Sequence, residues 1–272
     1  MGLADTRAME YLLYLTLGCF AGFVAGLFGI GGGMVIVPVL VYSFSTQGFA
    51  HATLTHLAIG TSLATIMVTS VSAVLAHHKR QAVLWPVVRN MAPGLLAGAF
   101  LGAQIASLIP PRPLQILIGG FAWLTAVQMF SGWKGKLDNL PLPRREGLWI
   151  AGGGIGGASA VFGIGGGTFT VPYLTLHGVA MPQAVASASA CGMPIAVAGA
   201  MGFMTAGLHG NPPLPAGAWG FVFMPAFLGI SATSLVFARL GARLAHHLPA
   251  NILKKLFACL LVAVGASFIR GH

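Results

Sequence analysis

Long apolar runs separated by short polar stretches divide this chain into ten segments, five in each half. In the first half they run near 11–28, 34–47, 52–76, 84–108 and 113–131. In the second they run near 147–162, 168–178, 182–206, 216–244 and 250–269. The runs are too long and too continuously apolar for half-buried strands, and each is predicted to be helical. No Lys, Arg, Asp or Glu lies between Tyr11 and Lys79, or from Gly147 through Ala238. A helix needs about 20 apolar residues to cross a bilayer, so the second charge-free stretch folds back through the membrane several times. The second segment of each half is too short for a full crossing, reaching only about 17–21 Å as a helix.

Between the first and second segments of each half stands the same motif. Phe-Gly-Ile-Gly-Gly-Gly occurs at Phe28–Gly33 and again at Phe162–Gly167, each followed by an apolar run with a proline at the same offset (Pro38 and Pro172). Glycine is a poor helix former, by about 1 kcal/mol per residue relative to alanine. Backbone without helical hydrogen bonds is tolerated at membrane depth only inside protein or along a wet cavity. Segments one and two of each half therefore form either a helical hairpin turning at the glycines or one full and one partial helix. Ile109-Pro110 matches Leu248-Pro249, and Pro93 matches Pro225, so the halves correspond beyond the motif.

Composition supports the membrane reading. The chain of 272 residues is 56% hydrophobic and 7% charged, with a mean hydropathy of +0.86, against about 25% charged for a soluble domain. The net charge of +10 sits in short connections: Lys79, Arg80 and Arg89; Lys134, Lys136, Arg144 and Arg145; Arg239, Arg243, Lys254 and Lys255. No interleaved exposed aromatics and no soluble domain accompany these cations. They read as loop charges that orient a membrane protein, not as a nucleic-acid face. Cys19, Cys191 and Cys259 all lie in apolar segments, and neither a disulfide framework nor a metal spacing is expected. With no small-residue cleavage site near Asp5, Arg7 and Glu10, no removable signal peptide is read.

The cations also set the topology. They fall between segments three and four in the first half, but after segment four in the second. If cationic loops face the cytoplasm, equivalent loops face opposite sides and the repeats are inverted. The expected fold is an all-α polytopic membrane protein of two inverted-topology repeats with broken or re-entrant helices at the glycine motifs. Residues 1–131 form the first repeat, 132–146 a cytoplasmic linker and 147–272 the second repeat, with both termini outside. Arg7 and Arg270 run against that placement, the first offset by Asp5 and Glu10.

In this arrangement the two glycine turns meet near mid-membrane. Each opens a short helix, and helix N-termini are ready anion sites. Gly29, Gly31, Gly32 and Gly33, with Gly163, Gly165, Gly166 and Gly167, are the candidate backbone donors to an oxyanion. Thr168, at the start of the second short helix, adds a hydroxyl, whereas Met34 reads as packing. The alternative is that the glycines simply permit close helix packing. A side chain at Gly32 or Gly166 is expected to abolish transport while leaving insertion intact.

At this point the chain strongly resembles the TauE/SafE (TSUP) family of sulfite and organosulfur-anion exporters. The resemblance rests on Gly26-Leu-Phe-Gly-Ile-Gly-Gly-Gly-Met-Val-Ile-Val-Pro38, Ala160-Val-Phe-Gly-Ile-Gly-Gly-Gly-Thr-Phe-Thr-Val-Pro172 and Ala58-Ile-Gly-Thr-Ser-Leu63. It implies an inner-membrane carrier of small sulfur-containing anions and carries site roles to Thr61 and Ser62. The second-half counterpart, Ala186-Ser-Ala-Ser-Ala-Cys191, matches more loosely and carries them to Ser189 and Cys191. Ser187 is a further candidate hydroxyl donor. For each hydroxyl the competing role is helix hydrogen bonding, and for Cys191 that of a small apolar residue.

The remaining polar residues change the picture little. His56 and His177 read as interfacial histidines at segment ends, with proton exchange as the functional alternative. Gln104 and Gln128 read as packing hydrogen bonds. Gly152-Gly-Gly-Ile-Gly-Gly157 matches a dinucleotide-binding pattern only formally, since neither a strand nor a suitably spaced acid accompanies it. An intramembrane hydrolase built on Ser159 or Ser189 with a histidine would lack an acid to orient that histidine. No enzyme activity, cofactor or metal is expected. All four acids lie in the termini or the linker, so no coupling carboxylate is available. Anion efflux driven by a negative interior is the expected mechanism; carriage of a carboxylate and proton-coupled transport are the alternatives.

Overall fold

The computed structural model describes residues 3–28, 33–131, 141–210, 212–245 and 250–270. Among them are ten helices: α1 (Leu3–Phe28), α2 (Gly33–Thr46), α3 (His51–Lys79), α4 (Trp85–Leu108), α5 (Pro111–Ser131), α6 (Arg145–Phe162), α7 (Gly167–Leu176), α8 (Met181–His209), α9 (Met224–Ala245) and α10 (Ala250–Arg270). All ten segments read from the apolar pattern are present. In each half the first helix is long and the second short, 26 and 14 residues for α1 and α2, 18 and 10 for α6 and α7. The linker cations Lys134 and Lys136 lie outside the described residues.

One element differs from the sequence reading. The ninth segment, expected from 216, begins as a helix only at Met224; before it a short antiparallel hairpin pairs β1 (Ala218–Trp219) with β2 (Val222–Phe223). Gly217 and Gly220 take positive φ values of 90° and 54° there, a conformation that glycine adopts without steric penalty. Phe221, Val222 and Phe223 are as apolar as any membrane helix, and all three are buried. Phe223 packs edge-on against Tyr14, Phe44 and Phe49.

The helices pack in a regular scheme. α1 lies on α9 and α6 on α4; α2 lies on α3 and α7 on α8; α3 pairs with α8, and α5 with α10. Adding five to each helix number maps this list onto itself. The turns behave likewise. Gly48 (φ 76°) ends α2 and Gly178 (φ 74°) ends α7, and in each case the following N–H returns to a carbonyl five residues back, Phe49 to Phe44 and Val179 to Leu174. That is a glycine-terminated helix cap used twice.

Glycine ridges bring the outer pairs together. A methyl on Gly102 would lie 2.7 Å from Gly157 Cα, one on Gly156 would lie 3.0 Å from Ala99 N, and one on Gly98 would lie 2.8 Å from Gly153 Cα. Gly98 and Gly102 on α4 thus mesh with Gly153, Gly156 and Gly157 on α6, the small-residue packing that membrane helices use in place of a hydrophobic drive. The formal dinucleotide match at 152–157 is this ridge. On α1, Gly18 fits against Ile230 of α9 in the same way. The outer faces carry large exposed side chains, among them Leu101, Ile105, Leu124, Val127, Ile150 and Val236. So continuous an exposed apolar surface belongs in lipid. Three helices (α3, α4 and α8) are long and apolar enough to cross a bilayer, judged on the described residues alone.

Candidate functional site

The second glycine motif forms a buried turn. α6 ends at Gly163, which takes φ 66°, and its N–H returns to Ala160 O while Ile164 N returns to Ser159 O. Gly163 through Gly166 are buried. The first bond of the next helix runs from Thr170 N to Gly166 O at 3.0 Å, and no side chain caps that helix. The N–H groups of Gly166, Gly167, Thr168 and Phe169 therefore precede the hydrogen-bond ladder of α7, at the end of the helix carrying its positive partial charge. Pro172 has no N–H to offer Thr168 O, and Pro38 has none for Met34 O, so both short helices are interrupted at the same place.

Of the first motif, Gly29, Gly31 and Gly32 lie outside the described residues. Gly33 opens α2, and a methyl on it would meet Gly163 O, Ile164 Cα (2.8 Å) and Ile66 Cδ1 (2.9 Å). The two copies of the motif, more than 100 positions apart in sequence, are thus in direct contact. Met34 packs beside them with Ile164, Ala122, Ala126 and Leu261.

Around the turn the glycines also serve close packing. A methyl on Gly166 would lie 2.7 Å from Ala188 O, 2.8 Å from Gly192 N and 3.1 Å from the Cys191 carbonyl carbon. Its missing side chain faces the main chain of α8, not open space. A valine there would run into that main chain, so folding is expected to suffer, contrary to the expectation that insertion would be untouched. Close packing and an N–H that precedes the α7 ladder coexist in one residue.

The hydroxyl candidates divide by partner. Ser62 Oγ donates to Gly163 O at 3.1 Å, tying α3 to the glycine turn. Thr61 Oγ1 accepts from Phe223 N at 2.9 Å. Ser187 Oγ accepts from Leu84 N at 2.9 Å. Ser189 Oγ bonds back to Val185 O within α8, and Cys191 is fully buried in the core, as a small apolar residue would be. Thr61, Ser62 and Ser187 thus form bonds between the halves that spacing alone did not reveal. One turn of α3, Ile59 to Ser62, is gripped from both sides. The glycine turn meets it at Ile59 and Ser62, and the hairpin meets it at Gly60 and Thr61.

Several buried polar atoms lack a partner. Among the described residues these are His56 Nδ1, Ser159 Oγ, Thr168 Oγ1, Thr170 Oγ1, Tyr173 OH and Ser231 Oγ. Four of the six fall between Ser159 and Tyr173, on the glycine turn and its flanking helices. Of these Thr168 was anticipated as a donor; Thr170 and Tyr173 were not, because isolated hydroxyls in an apolar run carry no spacing signal. Neither Ser159 nor Ser189 bonds a histidine, so the hydrolase pairing is not assembled.

His56 departs from the interfacial reading. It is 3% exposed, its Nε2 lies 3.2 Å from Ala106 O and 3.1 Å from Ile109 O at the end of α4, and its ring lies against Phe221. His177 does sit at a helix end, where its Nδ1 bonds Tyr173 O at 2.7 Å. Gln104 bridges α4 to α8 through Gly202 O and Thr205 Oγ1, the packing role expected for it.

Comparison with known proteins adds a family. A family model described as sulfite exporter TauE/SafE matches residues 14–268. A Haemophilus influenzae protein described as a probable membrane transporter is 39% identical over 254 residues, covering 93% of this chain and 96% of that protein. A Methanocaldococcus jannaschii protein of the same description is 25% identical over 94% of this chain and 96% of its own length. One from Xylella fastidiosa strain Temecula1 is 28% identical over 93% of both. No solved structure matches the chain significantly.

Proposed function

The chain belongs to the TauE/SafE family of membrane transporters, and on that footing we propose that it exports a small sulfur-containing anion, such as sulfite or sulfoacetate, across the inner membrane. The observation that carries this reading is the contact between Gly33 and the Gly163–Ile164 turn. Two copies of a helix-breaking motif meet inside the protein, and the second leaves four N–H groups ahead of the α7 ladder. An oxyanion is the ligand such a helix start favours. Gly165, Gly166, Gly167 and Thr168 supply the second-half donors, and the equivalents from Gly29 to Gly33 supply the first-half donors; Gly163, expected to donate as well, spends its N–H on Ala160 O and shapes the turn instead. Thr61 and Ser62 hold the α3 turn that backs the site.

The packing scheme that survives a shift of five helices supports two repeats, 1–131 and 147–272. Their cationic loops fall at non-equivalent places, which supports inversion, with the linker 132–146 cytoplasmic and both termini outside. Because the glycine turn is buried, solute reaches it only when α7 or its neighbours move. Asp5 and Glu10 lie near the start of α1 and Glu146 in the first turn of α6; with no carboxylate deeper in a described helix, the driving force is the membrane potential, about 2.3 kcal/mol per charge per 100 mV. Proton coupling is the second reading, and the buried His56 in α3 is the observation in its favour.

Purified protein in liposomes loaded with sulfite, sulfoacetate or acetate tests these readings under imposed potentials. Saturable efflux of the sulfur anions that grows with the internal negative potential is expected. Flux that follows a pH gradient and ignores the potential would replace the electrophoretic mechanism with the proton-coupled one. Preference for acetate would make the protein a carboxylate carrier.

A further inference from the structure

We propose that the solute-binding surface extends from the glycine turn along one face of α7, with Thr170 and Tyr173 donating hydrogen bonds to the anion. The proposal rests on the transport reading above and adds two donors to its site.

Position on the helix is the first ground. Gly166, Thr170, Tyr173 and His177 stand at successive spacings of four, three and four, which places them on one stripe of a helix. Gly166 fixes the direction of that stripe, since its open side lies against Ala188 and Gly192 of α8. Thr170 and Tyr173 therefore follow the glycine turn down the face of α7 that fronts α8.

Unmet hydrogen bonding is the second and independent ground. Thr170 is fully buried and its Oγ1 has no partner, and Tyr173 OH is buried likewise. Several threonines elsewhere in these helices satisfy themselves by bonding the carbonyl four residues back. Thr175 does so to Val171 O at 3.0 Å, Thr65 to Thr61 O at 2.6 Å and Thr125 to Phe121 O at 2.9 Å. Thr170 forgoes that bond although Gly166 O lies one turn behind it. A buried hydroxyl without a partner is destabilising, and three on one ten-residue helix (Thr168, Thr170 and Tyr173), next to four N–H groups that precede its ladder, mark a place kept for a ligand. Thr170 and Tyr173 each have an O–H to donate, which suits an anion with several acceptor oxygens. In the first half the corresponding positions, two and five residues after Met34, are Ile36 and Val39, so the donor track belongs to one half only.

Thr170→Val and Tyr173→Phe remove each hydroxyl while keeping shape. In liposomes loaded with sulfite, sulfoacetate or acetate, each variant is expected to lose at least tenfold in sulfur-anion flux per folded molecule. Each should also melt no lower than wild type in detergent, because no internal bond is lost. Thr170→Ser should retain flux, and Thr175→Val, which removes a satisfied hydroxyl, should leave flux unchanged. Wild-type flux in both Thr170→Val and Tyr173→Phe overturns the track while leaving the glycine site standing. Lower melting with flux lost only in proportion to folded protein also overturns it, since that is the signature of a structural bond. A wild-type protein that moves none of the three anions sinks the transport reading and the track together.

Discussion

Alanine at Gly166 separates packing from backbone strain. Gly166 has φ −59° and ψ −18°, a region any residue occupies freely, so a substitution there meets no conformational penalty. What it meets is α8. The new carbon would sit 2.7 Å from Ala188 O, 2.8 Å from Gly192 N and 3.1 Å from the Cys191 carbonyl carbon, where comfortable separations are about 3.5 Å or more. All three atoms are main chain on one helix, so no side-chain rotation relieves the overlap and α7 must move away. Overpacking of this kind costs about 1–3 kcal/mol, and with only backbone opposing it the upper part of that range applies. Gly192→Ala is the internal comparison. Its carbon would lie 3.2 Å from Gly166 N and 4.0 Å from Gly166 Cα, a milder approach, and an alanine inside a helix gains back about 1 kcal/mol. Equilibrium unfolding in mixed detergent is therefore expected to show Gly166→Ala clearly destabilised and Gly192→Ala close to wild type. Equal stability for Gly166→Ala and wild type, or a larger loss for Gly192→Ala, would refute the close contact between the glycine turn and α8.

Thr61→Val leaves the Phe223 N–H buried without an acceptor and is expected to cost about 1–3 kcal/mol, with Thr61→Ser restoring most of it; the same unfolding assay reads both. Ser187→Ala should behave alike at Leu84 N, though less severely because that site is only partly buried. Gly98→Leu forces α4 off α6 at Gly153 and should abolish accumulation of folded protein, measured by size-exclusion profile. His56→Leu leaves Ala106 O and Ile109 O without the ring N–H and should lower stability, whereas His56→Gln, still a donor, should lower it less; potential-driven flux in the Gln variant equal to wild type would exclude His56 as a proton carrier.

Much of the fold was legible because the bilayer demands long apolar runs, and their ends are marked by residues with clear physical roles. Helix α7 was bounded by the triple glycine before it and Gly178 after it; α4 by Pro86 at its start and Ile109-Pro110 at its end. The hairpin at 218–223 escaped notice because Phe221-Val-Phe223 looks like membrane helix by hydropathy. Its signals were the prolines at 212, 213 and 215 with Gly217 and Gly220, a cluster that punctuates backbone irrespective of hydropathy. His56 differs from its interfacial reading because a histidine at the fifth position of a segment looks interfacial, while hydropathy does not reveal the hairpin that covers it. In the candidate site the glycines were found from their duplication. The partners of Thr61 and Ser187 come from remote sequence, and no local pattern encodes them.

Those two bonds run crosswise. The residue just before α9 leans on α3, from the other half, and the residue just before α4 leans on α8. Each half thus completes its partner's fourth helix start, like two hands clasped at the wrists. Separately expressed halves would each carry an uncapped helix and a bare glycine ridge, and only co-expression should restore a stable molecule. Displacing either half would therefore break a hydrogen bond at the start of a helix in the other.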